Sequence, residues 1–357
     1  MKTHNNLWSK ITSFKNLVLA YNKARKAKPQ TKETLEFSLN LEKNLLLIQE
    51  ELLSNTYKQS KYREFIIFDP KQRKIKYLPF KDRVVHHALV NVIEPIFDKR
   101  LISTTYACRK NKGTHKALKD IKKTISREFK FTGYCLKCDI KKYFPSIDKI
   151  ILKQVIEKKI RCKNTKKLIF DIIDSDYSNF GEYKGIPIGN LTSQLFSNIY
   201  LNELDQYVKH KLKIKYYYRY VDDFIILEDS KKQLNYYKKN IKYYLKKELN
   251  LEMPKYKTSI FQIKDGVDFV GYKIFPNRVF LRKRNIKRFI KKLKILTNEK
   301  KVSKIKSSVF SYLGHFKFAN SYNLITLIFN KTPVYLTKID YKIYEKRENN
   351  GGHCVKL

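Results

Sequence analysis

An α+β fold is the class this sequence predicts, and three observations carry it. A helical hydrophobic period runs through residues 1 to about 60 and recurs along the chain up to the basic helices from Ile286 onward, while period-2 runs of β-branched and aromatic residues alternate with it in the middle. With only ten Gly and nine Pro in 357 residues, no repeat or flexible linker separates these regions, so domain borders are soft. A hydrophobic content of 42%, with 14% aromatic residues, supports a real core and either two or three domains or one multi-lobed enzyme.

Taken in order, TLEFSLNLEKNLLLIQEELL belongs to an N-terminal helical region. YREFIIFDPKQRKIKYLPF then predicts a hairpin turning at Asp69-Pro70-Lys71. DRVVHHALVNVIEPIF resumes the helical period and is expected to stop near Pro95. In FTGYCLKCDIKKYFPSID, alternation puts Leu136, Cys138 and Ile140 on one face of a strand and Cys135, Lys137 and Asp139 on the other, with Ser146 or Asp148 capping the next helix. GIPIGNLTSQLFSNIYLNELDQYVKHKL is a Gly-rich loop leading into an amphipathic helix, and KYYYRYVDDFIILED is strand, turn, strand. A helix over KQLNYYKKNIKYYLKKEL, the Lys-rich LEMPKYKTSI, a short strand pair DFVGYKIF and VFLRKR, and basic helices from IKRFIKKLKIL onward complete the chain.

The formal charge of +44, from 77 Lys and Arg against 33 Asp and Glu, points to a polyanionic partner, nucleic acid first. An AT-rich genome also enriches Lys, Asn, Ile and Tyr, so charge alone says nothing of catalysis. Five scattered Cys, a start without an apolar signal region, and no apolar stretch near the about 18 residues of a membrane span predict a cytoplasmic protein with reduced thiols. Cys135-x-x-Cys138 has the spacing of half a zinc site but lacks a second pair, and His86-His87 reads as packing and surface.

Asp222 and Asp223 sit side by side in an apolar run, where unpaired carboxylates are costly to bury. A polar turn accounts for them if they are taken alone. With Asp139 at the end of another strand, they can instead form an oxygen-ligand cluster for Mg²⁺, with two ions clamping the attacking and leaving oxygens of a phosphoryl transfer.

These stretches resemble the sequence blocks of reverse transcriptases, in the family's order over roughly residues 60 to 280: DIKKYFPS, GIPIGNLTSQ, YVDD, MPKYKT and FVGYKIF. The resemblance implies a right-hand polymerase with an N-terminal helical region over 1–60, fingers and part of the palm over 61–135, a palm over 136–280, and a helical thumb with a C-terminal tail over 281–357. It implies that Asp139, Asp222 and Asp223, with the carbonyl of Ile140, hold two Mg²⁺ ions, for which Mn²⁺ can substitute. Lys71, Arg73 and Lys76 would meet the dNTP triphosphate, Phe144 would block a ribose 2′-OH, Lys257 would protonate the leaving pyrophosphate, and Gly271 would make the primer-grip turn. A solvated basic turn, a core aromatic and a plain hairpin glycine are the alternatives for these positions.

IGNLTSQ narrows the resemblance. Ile188-Gly189 and Ser193-Gln194 stand where most of the family has Gln-Gly and Ser-Pro, and the block is similar to that of diversity-generating retroelement enzymes, as are PFKDRVVHHALVNVIEPIF and TTYACRKNKGTHKAL. That implies an RNA template, a DNA or RNA primer, errors directed to template adenines, a bacterial or phage-infected host cell, and a small basic helical accessory protein. Ile188 and Gln194 are then expected to loosen pairing geometry at the template base. Another prokaryotic reverse transcriptase, of retron, intron or phage-defence type, is the alternative. A catalytically dead RNA-binding protein is the remote one, and all three carboxylates are present against it.

Overall fold

The computed structural model describes residues 3–26, 30–68, 72–176, 183–298 and 302–331. The Asp69-Pro70-Lys71 turn, with the triphosphate contact expected of Lys71, and the C-terminal tail past residue 331 lie outside the described residues. The backbone gathers into two compact units, residues up to 117 with 134–261, and residues 118–133 with the described residues from 262 on.

In the first unit the N-terminal region is α1 (Trp8–Thr12), α2 (Phe14–Arg25), α3 (Lys32–Leu39) and α4 (Leu41–Leu53). Ser13 caps α2 by accepting from the Asn16 N–H. Leu45, Ile48 and Leu52 of α4 are buried at helical spacing, each contributing about 1.5–3 kcal/mol. The hairpin is β1 (Arg63–Ile67) and β2 (Arg73–Tyr77), antiparallel with Arg63 opposite Tyr77. α5 (Phe80–Asp98) does not stop at Pro95, which lies inside it. So close to the end, proline removes a single helical bond, and buried Ile93 and Phe97 on either side hold the last turn in place.

After α6 (Thr114–Thr124), which crosses between the units, comes β3 (Tyr134–Cys138), then α7 (Tyr143–Ser146), α8 (Lys149–Glu157), α9 (Lys163–Asp174) and α10 (Leu191–Gln206). Asp148 is the cap of α8, accepting from the N–H groups of Ile150 and Ile151. α10 differs from the expected amphipathic helix: Ser193, Ser197, Asn198, Asn202 and Asp205 are buried along with its apolar residues. Neighbours α5 and α8 pack on it, and its polar groups are satisfied internally, as where Asn198 Nδ2 donates to the Ala107 carbonyl at 2.9 Å. β4 (Tyr216–Tyr220), β5 (Asp223–Glu228), α11 (Lys231–Glu248) and β6 (Ser259–Gln262) follow, and the sheet runs β4-β5-β3-β6. α11 lies on β3 and β5 through Leu234, Tyr237, Ile241 and Leu245.

The second unit has three strands where a pair was expected, β7 (Val267–Phe269), β8 (Tyr272–Ile274) and β9 (Val279–Leu281), because FVGYKI itself folds into a hairpin at Val270-Gly271. Both turn residues have positive φ, 44° and 94°, as a two-residue hairpin turn requires. α12 (Lys283–Asn298), α13 (Val302–Phe316) and α14 (Tyr322–Lys331) complete it. Phe289 of α12 packs edge-on to Phe316 of α13, and Tyr272 donates to the His315 carbonyl at 2.8 Å.

Candidate active site

The carboxylates meet because of strand register. β3 pairs with β5 so that Cys138 faces Phe224, and one step further Asp139 leaves β3 where Asp223 opens β5. β4 and β5 are joined by a two-residue turn, Val221-Asp222, in which Val221 has φ 56°. That left-handed conformation is unfavourable for a β-branched residue by roughly 1–2 kcal/mol, so something must hold it.

Beneath the turn lies a polar network that the sequence reading missed. Arg219 of β4 is fully buried and its guanidinium forks onto Asp205 of α10, Nε to Oδ1 at 2.8 Å and Nη2 to Oδ2 at 2.6 Å. Its Nη1 donates to the Val221 carbonyl at 2.9 Å and to Asn198 Oδ1 at 3.3 Å. Asp205 also accepts from the Tyr217 and Thr105 hydroxyls, each at 2.9 Å. Burial would lower the Arg219 pKa, but Asp205 outweighs it and keeps the group charged. The one signal in the sequence was an Arg inside an aromatic strand.

Burial raises the Asp222 pKa to about 6, with the charge of Asp139 adding to it, while Lys257 and Arg73 act in the opposite sense. Asp223 is also raised, by burial, then by the charges of Asp222 and Asp139. Holding these groups ionised near neutral pH therefore destabilises the fold, and the cost is relieved as pH falls toward the unfolded carboxylate value or as a cation arrives. Lys257 supplies part of that charge: its ammonium donates to Asp139 Oδ1 at 2.5 Å, and although burial lowers the lysine pKa, that bond together with the charges of Asp139 and Asp222 raises it. Among the described residues no group of three or more His, Cys, Asp or Glu is gathered as a ready-made metal site. The donors at hand are all hard oxygens, the type that Mg²⁺ takes. Ile140, fully buried, follows Asp139 directly.

β2 is docked on the GIPIGN loop by its backbone. The Lys76 N–H donates to the Ile188 carbonyl at 3.0 Å, and Asn190 Nδ2 donates to the Lys76 carbonyl at 3.3 Å. Gly189 has φ 120°, and a Cβ there would stand 2.7 Å from the Lys76 oxygen and 2.8 Å from Ile75 Cγ2. Gly189→Ala is therefore expected to lower stability by about 1–3 kcal/mol through strain and overlap, read as a shift in the urea midpoint. An unchanged midpoint would show that the loop does not need this approach.

Of the described cations expected at the triphosphate, Arg73 is exposed and its charge reaches Asp222. Lys76 instead bonds buried Asp176, whose backbone carbonyl accepts from Lys149 Nζ at 2.7 Å. Phe144 is half-buried, its ring 5.6 Å from that of Tyr143, and its carbonyl accepts from the Ile186 N–H, tying α7 to the same loop. Gln194 is exposed on the first turn of α10 and Ile188 is half-buried. Gly271 belongs to the second unit, where its carbonyl accepts from the Arg282 N–H at 3.2 Å. Cys135 and Cys138 are both buried free thiols. His86 is buried between Gln59 and Thr192, and burial lowers its pKa to about 3, so it is a neutral link from α5 to α10.

Known proteins match this chain across the same segment. The family model described as reverse transcriptase (RNA-dependent DNA polymerase) matches residues 58–274. Protein YkfC of Escherichia coli (strain K12) is 24% identical over 273 residues, covering 66% of this chain and 72% of that protein. The group II intron-encoded protein LtrA of Lactococcus lactis subsp. cremoris is 25% identical over 306 residues, covering 66% of this chain and 50% of LtrA, so the chain spans half the length of that relative. Among solved structures, telomerase from Candida albicans with a fragment of telomeric RNA aligns at a TM-score of 0.48 and 13% identity, over 81% of this chain and 58% of that one. No helix among the described residues is long and apolar enough to cross a membrane.

Proposed function

Because the chain belongs to the reverse transcriptase (RNA-dependent DNA polymerase) family, whose model spans more than half of it, we propose that it extends a DNA or RNA primer with dNTPs on an RNA template. The observation that carries this is the register that brings Asp139, just past β3, near Asp222 in the β4–β5 turn and Asp223 at the start of β5, with the charge of Asp139 reaching both of the others. Asp139 and Asp222, with Asp223 and the Ile140 carbonyl, would hold two Mg²⁺ ions, or Mn²⁺ in their place. When bound, the ions supply charge to the attacking 3′ oxygen and to the leaving pyrophosphate.

The protein's own groups do the rest. Arg73, and Lys71 and Lys76 with it, would neutralise the triphosphate, with Lys76 first exchanging its Asp176 partner for phosphate oxygen. Phe144 would exclude a 2′-OH by filling the space under the sugar. Lys257 would give its proton to pyrophosphate, a role supported by its ion pair with Asp139. Gly271 would turn the primer grip. The fingers, palm and thumb would divide near residues 61, 136 and 281, and the enzyme would work in the cytoplasm.

Within the family, the IGNLTSQ block supports the error-prone enzyme of a diversity-generating retroelement, acting with a small basic helical accessory protein. Likeness to LtrA supports an intron-encoded type instead. Primer extension on a defined RNA template separates the readings. Mg²⁺-dependent cDNA is expected, with misincorporation opposite template adenine at least tenfold above that opposite the other bases. Uniform errors would remove the retroelement reading, and absence of any cDNA would remove the polymerase reading.

A further inference from the structure

We propose that the outer face of α11, with the adjoining segment 207–215, is a second nucleic-acid surface that holds single-stranded template RNA outside the primer-paired stretch. The proposal rests on the polymerase reading only for the identity of the strand. α11 carries seven Lys and one Glu, and residues 207–215 add four Lys and no carboxylate. With Leu234, Tyr237, Ile241 and Leu245 turned onto the sheet, the outward positions are Lys232, Tyr236, Lys239, Tyr243 and Lys246, so cation and aromatic alternate along one stripe.

Two of these rings lie open to solvent, Tyr236 by 56% and Tyr243 by 62%. The Lys247 ammonium stands over the Tyr243 ring, 5.5 Å from its centre. The stripe continues onto the next segment through Tyr244, which stacks on Tyr207 at 4.1 Å and 13°. Lys211, Lys213 and Lys215 follow there, all exposed. Open π faces set among ammonium groups are what a single strand needs, because bases stack on the rings while phosphates meet the lysines. A protein partner of matching charge would leave the tyrosines without that role, and a duplex would hide its bases from them. Since α11 covers β3 and β5 with its other face, this surface is turned away from the strands that carry Asp139 and Asp223. RNA is the occupant because it is the template, and it continues beyond the copied bases.

The test compares one primer–template pair with and without a 20-nucleotide unstructured RNA tail, by fluorescence anisotropy and by initial extension rate. Wild type is expected to bind the tailed form at least tenfold more tightly, with a steeper salt dependence. Lys232→Gln/Lys239→Gln/Lys246→Gln should remove most of that advantage and flatten the log–log salt slope by about 2. Tyr236→Ala/Tyr243→Ala should lower it about tenfold with little change in slope. Both variants should extend the untailed pair as wild type does. A wild type indifferent to the tail, or an advantage kept in both variants, would overturn the proposal. Failure to extend the untailed pair by wild type would sink the polymerase reading instead.

Discussion

Asp222→Asn is expected to reduce primer extension by roughly 10³-fold or more, since loss of one preorganised electrostatic group already costs about 10²–10³ in turnover. The substitution keeps size and removes charge. Because burial and Asp139 disfavour the ionised form of Asp222, the neutral amide should leave the metal-free protein as stable as wild type, or more so, near neutral pH. Added Mg²⁺ should then raise the melting temperature of wild type and not that of the variant. A variant within tenfold of wild type would show that this carboxylate is a turn residue.

Asp205→Ala has the largest expected effect on folding. It leaves the Arg219 guanidinium buried without its carboxylate, a loss of about 3–5 kcal/mol measured by urea denaturation. The double variant Asp205→Leu/Arg219→Met removes both charges and should recover much of that stability, as apolar replacements of buried pairs do. It should not recover extension, because Arg219 also donates to the Val221 carbonyl and nothing in Met replaces that bond. Full extension by the double variant would mean that the turn holds its left-handed residue unaided.

Local pattern made the β1-β2 and β4-β5 hairpins and the position of Asp139 legible, but not the hairpin inside FVGYKI. Alternation over FTGYCLKC and the paired Asp that interrupt an apolar run are properties of neighbouring residues; they mark a strand and a turn, though the turn falls one residue earlier than Asp222-Asp223, at Val221-Asp222. The pairing of Arg219 with Asp205 is not such a property, because the partners stand fourteen positions apart, across a helix-to-strand change. Helix α10 misled for the same reason: its Ser, Asn and Asp look like a solvent face until their buried partners are in place. Lys76 read as a free cation because Asp176, which holds it, is a hundred residues away. Pro95 read as a stop because only tertiary packing shows that the last turn is held from both sides.

The junction between β2 and the GIPIGN loop is written almost wholly in backbone atoms: the Lys76 N–H, the Ile188 carbonyl and the Lys76 carbonyl, with Asn190 as the one side chain. Such a seam is indifferent to which residues stand at 76 and 188, provided Gly189 leaves room for it. The docking of the hairpin and the chemistry of the side chain at 188 are thus separable traits here. A lineage can exchange the side chain at 188 while the hairpin stays seated as before.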